Sequence, residues 1–289
     1  KTVASTRRLS TGLCAFLMLG LSGLPSSPLL AASDDVKISD DKGFEVRSAD
    51  GARSLQIGGG MQALHTTTLD DGLVGNEFRV RRGRLGVRAR VNPWLSVRLM
   101  AEFVLAPVLL DYYLDATLAP WLKLRAGQFK VPFARQAFMP ASQKEFVDDT
   151  IAVVNQGLGR DIGLMVHGAA VNGVLEYQLA ALNGAGKNAR QDNTDFLYAS
   201  RLVAQPFGAV PLSEGELSGR SAPKLAIGAA AAYNTRVTAL DDENNAANTA
   251  NTDSVDSPDI STDRVSAGGE LAFVWRGLYL ALEGMWRRD

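Results

Sequence analysis

Residues 76–91 read NEFRVRRGRLGVRARV and set six arginines among aliphatic side chains. Three settings would ask for that mixture: a nucleic-acid-binding strand, a basic amphipathic helix, or a strand in the wall of a water-filled pore. Periodicity separates them. Leu85, Val87, Ala89 and Val91 take odd positions, while Arg84, Gly86, Arg88 and Arg90 take even ones. A period of two describes a strand with unlike faces, whereas a helix would scatter the arginines around its circumference. Before Gly83 the phase reverses, with Phe78 and Val80 apolar and Arg79 and Arg81 polar. The reversal predicts a β-bulge near Arg82 and Gly83 within one long, kinked strand.

The same design recurs downstream. Leu95, Val97, Leu99, Ala101 and Phe103 alternate with Ser96, Arg98, Met100 and Glu102. Leu110, Tyr112, Leu114, Ala116 and Leu118 alternate with Asp111, Tyr113, Asp115 and Thr117, and Leu122, Leu124 and Ala126 with Lys123 and Arg125. Weaker versions at 55–64, 162–168, 174–182, 196–204, 225–233, 265–275 and 278–286 bring the candidate strands to eleven. Their connections alternate in length. Tight turns at Asn92-Pro93, Ala119-Pro120, Val171-Asn172-Gly173 and Arg276-Gly277 interleave with longer segments at 65–76, 105–109, 130–160, 183–195 and 235–263. Short turns at one end and long loops at the other are the habit of bacterial outer-membrane barrels. Residues 206–224 break the rule, placing a long connection where a short turn is due. The Asn- and Asp-rich composition of 235–263 predicts a solvated, mobile loop.

Composition narrows the class. The 289 residues carry a formal net charge of −1, so the arginine cluster is local and the nucleic-acid reading weakens. Past the N-terminal region no apolar run approaches the roughly twenty residues that a membrane helix needs. That region has Arg7 and Arg8, an apolar stretch over 9–24, Pro25 and Pro28, and then Leu30-Ala31-Ala32-Ser33. It is the pattern of a secretory signal cleaved near Ala32, with a short membrane anchor as the alternative. Cys14, the only cysteine, falls inside it, so the mature chain has no thiol. An exported chain of this kind is periplasmic, secreted or an outer-membrane barrel.

The expected organisation is therefore a signal peptide over 1–32, a periplasmic segment over 33–52 and barrel from 53 to 289. Eleven strands would leave an open edge, and each unpaired backbone group facing lipid costs several kcal/mol. Single-chain bacterial barrels also use even strand numbers. The fold expectation is an all-β, antiparallel transmembrane β-barrel of which this chain is an incomplete part. Position 1 is Lys, so sequence is expected before it as well as beyond Asp289.

Several stretches then resemble the family of phosphate-selective porins O and P. They are WLKLRAGQFKVPF (121–133), GRDIGLMVHG (159–168), LNGAGKN (182–188), RLVAQPF (201–207) and GGELAFVWRGLYLALEG (268–284). Their order and spacing fit from about Gly43 onward. The resemblance implies a sixteen-stranded, homotrimeric outer-membrane pore whose third long loop, here 130–160, folds inward to narrow the channel. Phosphate-selecting members carry Phe-Arg-Arg at the start of the second strand. The similar Phe78-Arg79-Val80-Arg81-Arg82 matches it through Arg81 and Arg82, and Asp111 resembles the acidic residue of their pore site. Two positions depart from the pattern. The family's Gly-Gly-Arg reads Gly58-Gly59-Gly60, and the lysine expected after the third-strand tryptophan reads Leu95. The loop lysine has no match either, Arg135 being merely nearby.

If the apolar faces touch lipid, Arg84, Arg88, Arg90, Arg98, Lys123 and Arg125 face a lumen from three or more strands. Arginine and lysine rings select anions, and guanidinium donates paired hydrogen bonds to phosphate or carboxylate at any relevant pH. Asp111, Asp115 and Glu102 would temper the field, which helps release. The bland alternative is a general diffusion porin whose wall charges pair with one another, and another is a non-conducting barrel serving as receptor or adhesin through its loops. Trp94, Trp121, Phe129, Phe133, Trp275 and Trp286 fit interfacial girdles. Catalysis finds little footing. His65 and His167 are the only histidines, no GxSxG or HExxH pattern occurs, and Ser96 with His167 is the weak remaining pairing. Gly58-Gly59-Gly60 is followed by no Lys-Ser/Thr pair, so it reads as small residues in a curved strand. The expectation is a passive channel for small, phosphate-like anions in outer-membrane lipid and lipopolysaccharide, with no cofactor, no metal and no nucleic-acid partner.

Overall fold

The computed structural model describes residues 35–39, 43–70, 73–104, 106–191, 194–216, 219, 222–238 and 260–289. The signal-peptide reading of 1–32 lies outside the described residues. Thirteen strands build one sheet: β1 (Asp35–Ser39), β2 (Gly43–Arg47), β3 (Ser54–Asp70), β4 (Leu73–Asn92), β5 (Leu95–Glu102), β6 (Val108–Ala119), β7 (Leu122–Lys130), β8 (Arg160–Ala170), β9 (Leu175–Leu182), β10 (Leu197–Ala204), β11 (Lys224–Thr238), β12 (Ile260–Trp275) and β13 (Leu278–Arg288). Each pairs antiparallel with its chain neighbour, and the sheet order runs from β1 to β13 without a crossover.

Three expectations are corrected. Residues 35–39 and 43–47, expected to precede the first strand, pair as β1 and β2 at the sheet edge, so among the described residues the strands number thirteen rather than eleven. Within segment 65–76, expected as a long loop, residues 65–70 and 73–76 are strand, since the β3/β4 ladder continues to Asp70↔Leu73. Thr66, Thr67 and Thr68 lie in that extension, and β-branched residues favour strand. Likewise β11 and β12 pair as far as Thr238↔Ile260, and 239–259 lie outside the described residues.

Two phase changes matter for the site. The β3/β4 register shifts between Gln62 and Ala63, whose partners are Arg82 and Val80. Arg81 is thus the extra residue, next to the predicted position, and a bulge lets two consecutive side chains serve one face. A second shift sits between Met100 and Ala101, opposite Asp111 and Leu109. It makes Leu110 the unpaired residue and turns it inward, 5% exposed, against its expected place on the apolar outer face.

The sheet is inside out relative to a soluble protein. Phe78, Leu164 and Leu282 are 84%, 63% and 62% exposed, whereas Arg82, Asp111 and Glu270 are 9%, 6% and 7% exposed. Trp94, Trp121 and Trp275 stand exposed beside the short turns at one end of the sheet, and Trp286 is exposed near the far end of β13. Phe129 and Phe133, expected in the girdle, are instead buried. They join Val153, Met165, Leu182, Leu197 and Ala199 in an apolar cluster on the concave side. Among the described residues no helix is long and apolar enough to cross a membrane, which says nothing of strands.

The sheet curls around the segment between β7 and β8, which contains two short helices, α1 (Arg135–Phe138) and α2 (Ile151–Gln156). Ala141 of this segment accepts from Gln62 of β3 at 3.4 Å, while Arg135 N donates to Glu283 of β13 at 2.5 Å. Residues 135 to 141 can span at most about 21 Å. In a flat sheet, ten strand spacings of about 4.8 Å would hold β3 and β13 roughly 48 Å apart. Only a strongly curved sheet lets one short stretch touch both flanks, and the polar face is the concave one.

Candidate functional site

On that concave face, β3, β4 and β5, the facing ends of β7 and β8, and loop residues Phe138–Ser142 enclose a cavity of about 670 Å³. Arg82, Arg84, Arg88, Arg98, Lys130 and Arg160 line it, with Asp111 as the one acidic lining residue among the described residues. The alternation of β4 produces this wall directly. Residues two apart project from one face, so Arg82, Arg84 and Arg88 rise in a column and Gly86 leaves a gap within it.

Each cation is held differently. The Asp111 carboxylate is clamped between two guanidinium groups, accepting from Arg160 Nε at 2.7 Å and Arg98 Nε at 3.4 Å. Arg84 Nε donates to Glu102 at 2.8 Å, and Glu102 also accepts from Gly83 N at 2.5 Å. Arg82 donates to Gln62 Oε1 at 2.7 Å and to the Val147 carbonyl. Arg81 stands outside the cavity lining and holds loop residue Asp148 through two bonds of 3.1 and 2.6 Å. Because of the bulge, Arg82 Nη2 also lies 3.6 Å from the same carboxylate. Arg88 sits directly opposite Arg98, a like-charge cross-strand pair, and among the described residues no carboxylate lies within ion-pair distance of it. Lys130, in register with Arg160, is likewise without an ion-pair partner there.

Of the sequence-predicted residues, Arg82, Arg84, Arg88, Arg98 and Asp111 come together, with Arg81 beside them. Arg90, Lys123 and Arg125 stand further along their strands toward the short turns. There Arg125 makes a two-point pair with Asp115 (3.0 and 2.6 Å), stacks 3.9 Å over Tyr113, and shares Asp115 with His167 Nε2 at 3.0 Å. Arg135 departs from its expected pore-lining place. It is 3% exposed and is spent on the Pro211 carbonyl at 2.6 Å and on Glu270 at 3.9 Å, beside the buried Arg201–Glu270 pair. A loop backbone that enters the concavity at Val131–Ala134 carries Arg135 into that anchor instead of into open water.

Lys130 and Arg160 were missed as site residues. They are the two boundaries of the long loop, and at strand ends the alternation that marks an inward face loses its contrast. The 206–224 irregularity also acquires a place. Its Glu214 accepts from Gln136 Nε2 at 2.6 Å and from Glu145 N at 2.8 Å, and its amide donates to the Gln143 carbonyl at 2.8 Å. The insertion at the short-turn end therefore meets the loop from the opposite end in the interior. Among the described residues no cluster of His, Cys, Asp and Glu has the makeup of a metal site. No protein-family model matches the chain, and no curated protein matches it.

Proposed function

We propose that the chain is part of a porin of the bacterial outer membrane, similar to the phosphate-selective O and P family, conducting small anions passively through a basic interior. The observation that carries this reading is the inverted sheet: its exposed face is apolar and its concave face collects six cations around one cavity. Apolar surface exposed on this scale suits hydrocarbon rather than water. A sixteen-stranded trimeric barrel, as the resemblance implies, would satisfy both sheet edges, which lipid demands. An N-terminal export signal fits the same location.

Chemically, no bond is made or broken. A wall of guanidinium groups lowers the energy of an entering anion, and the carboxylates of Asp111 and Glu102 keep binding weak enough for release. Pairing consumes part of the wall charge, but among the described residues no carboxylate lies within ion-pair distance of Arg88. The test is single-channel recording in a planar bilayer with asymmetric potassium chloride. Reversal toward the chloride equilibrium potential is expected; reversal toward potassium, or no conductance, rejects the reading.

A further inference from the structure

The basic wall has an apolar counterpart. The same cavity is lined by Phe138, Met139 and Pro140 of the inward loop and by Met100 of β5. Met139 is 3% exposed, pressed into place by the loop fold, and Arg98 Nη2 lies 3.7 Å from the Met100 sulfur, so charge and thioether adjoin. A hydrated inorganic ion gains nothing from thioether, phenyl and pyrrolidine surfaces, since they offer no strong donor in exchange for its water. An anion with a carbon body does gain, by removing that surface from water.

Size agrees. A cavity of about 670 Å³ falls in the range of sites for organic ligands. The floor is bare: Gly58 and Gly60 of β3 and Gly86 of β4 line it. A Cβ added at Gly60 would meet nothing within 4 Å, so no close packing requires glycine there, and its absent side chain leaves the space open.

We propose that this cavity binds amphipathic organic anions, a carboxylate or phosphate head on an aromatic or aliphatic body, in preference to inorganic phosphate. The head takes the Arg88, Arg98, Lys130 and Arg160 side, and the body lies against Phe138, Pro140 and Met100. The inference deepens the anion-channel reading and rests on it.

The test compares phenyl phosphate with inorganic phosphate, which share a head group and differ by the ring, as blockers of chloride current through the full chain in a planar bilayer. Phenyl phosphate is expected to half-block at a concentration at least ten-fold lower. Met100→Gln, which keeps side-chain length, and Phe138→Ala should each narrow that gap below three-fold. Titration calorimetry on detergent-solubilised protein gives the same ranking independently of conductance. Equal or weaker action of phenyl phosphate in a chloride-preferring channel overturns this inference alone. Loss of chloride preference itself overturns the underlying function.

Discussion

Replacing Arg88 with glutamate is the most direct probe of the basic wall. A sphere of 670 Å³ has a radius of about 5.4 Å, so with a water's radius added a wall charge stands roughly 7 Å from an ion at the centre. At that distance one charge is worth about 0.6 kcal/mol in water, and screening at about 0.1 M salt halves it to about 0.3 kcal/mol. Arg88→Glu changes the wall by two charges, so the anion loses about 0.6 kcal/mol and a cation gains the same. That is roughly a three-fold shift for each ion, and close to a ten-fold change in their ratio. Folding should not interfere. Arg88 faces Arg98 across the β4/β5 ladder, and the introduced carboxylate turns a repelling pair into an attracting one, worth about 0.2–1 kcal/mol. Reversal potentials across a ten-fold potassium chloride gradient, before and after substitution, read the effect. An unchanged reversal potential in a folded channel would mean that Arg88 does not face the conducting path, and the assignment of the concave face as the lumen would fall with it.

The buried Arg201–Glu270 pair makes a stability prediction. Both side chains are 4% exposed, and Arg201→Ala leaves the buried Glu270 carboxylate only the 3.9 Å contact from Arg135, so it should cost about 3–5 kcal/mol in urea unfolding. Asp148→Asn removes the ion pair that ties the loop to Arg81, while the bond from Arg82 to the Val147 carbonyl remains. Because the Arg81 and Asp148 side chains are 38% and 56% exposed, stability should change by less than about 1 kcal/mol, yet proteolysis within residues 141–149 should accelerate several-fold. Glu214→Ala removes two acceptor bonds between the insertion and the loop, and single-channel recordings should show larger, noisier conductance; an unaltered trace would mean that the two segments stay docked without Glu214. Gly127 has φ +128°, and a Cβ there would come within 2.2 Å of the Tyr112 carbonyl oxygen, so Gly127→Val should sharply lower the yield of folded protein.

Much of the fold was legible because alternation is local. The contrast between Val80-Arg81 and Leu85-Gly86 placed a phase reversal within a residue or two of the actual bulge. The bulge at Leu110 escaped notice because Leu109 and Leu110 are the same residue, and a parity slip between like side chains leaves no trace in the pattern. The threonines of 66–68 read as loop because they are polar, although branching at Cβ makes them strand formers once a ladder is there to extend.

Residue order alone settled that this is a sheet, which face of β4 carries charge, and that arginine would dominate it, because a strand sends neighbouring side chains to opposite sides whatever lies around it. Tertiary structure alone decided which charges remain available. Arg98 is shared with Arg160 through Asp111, Arg135 is consumed by Glu270 far along the chain, and Arg88 is left facing another guanidinium. Neutralisation of a charge depends on contacts within a few ångströms, and those are set by strand register and by the path of a loop through the concavity, neither of which a local pattern contains.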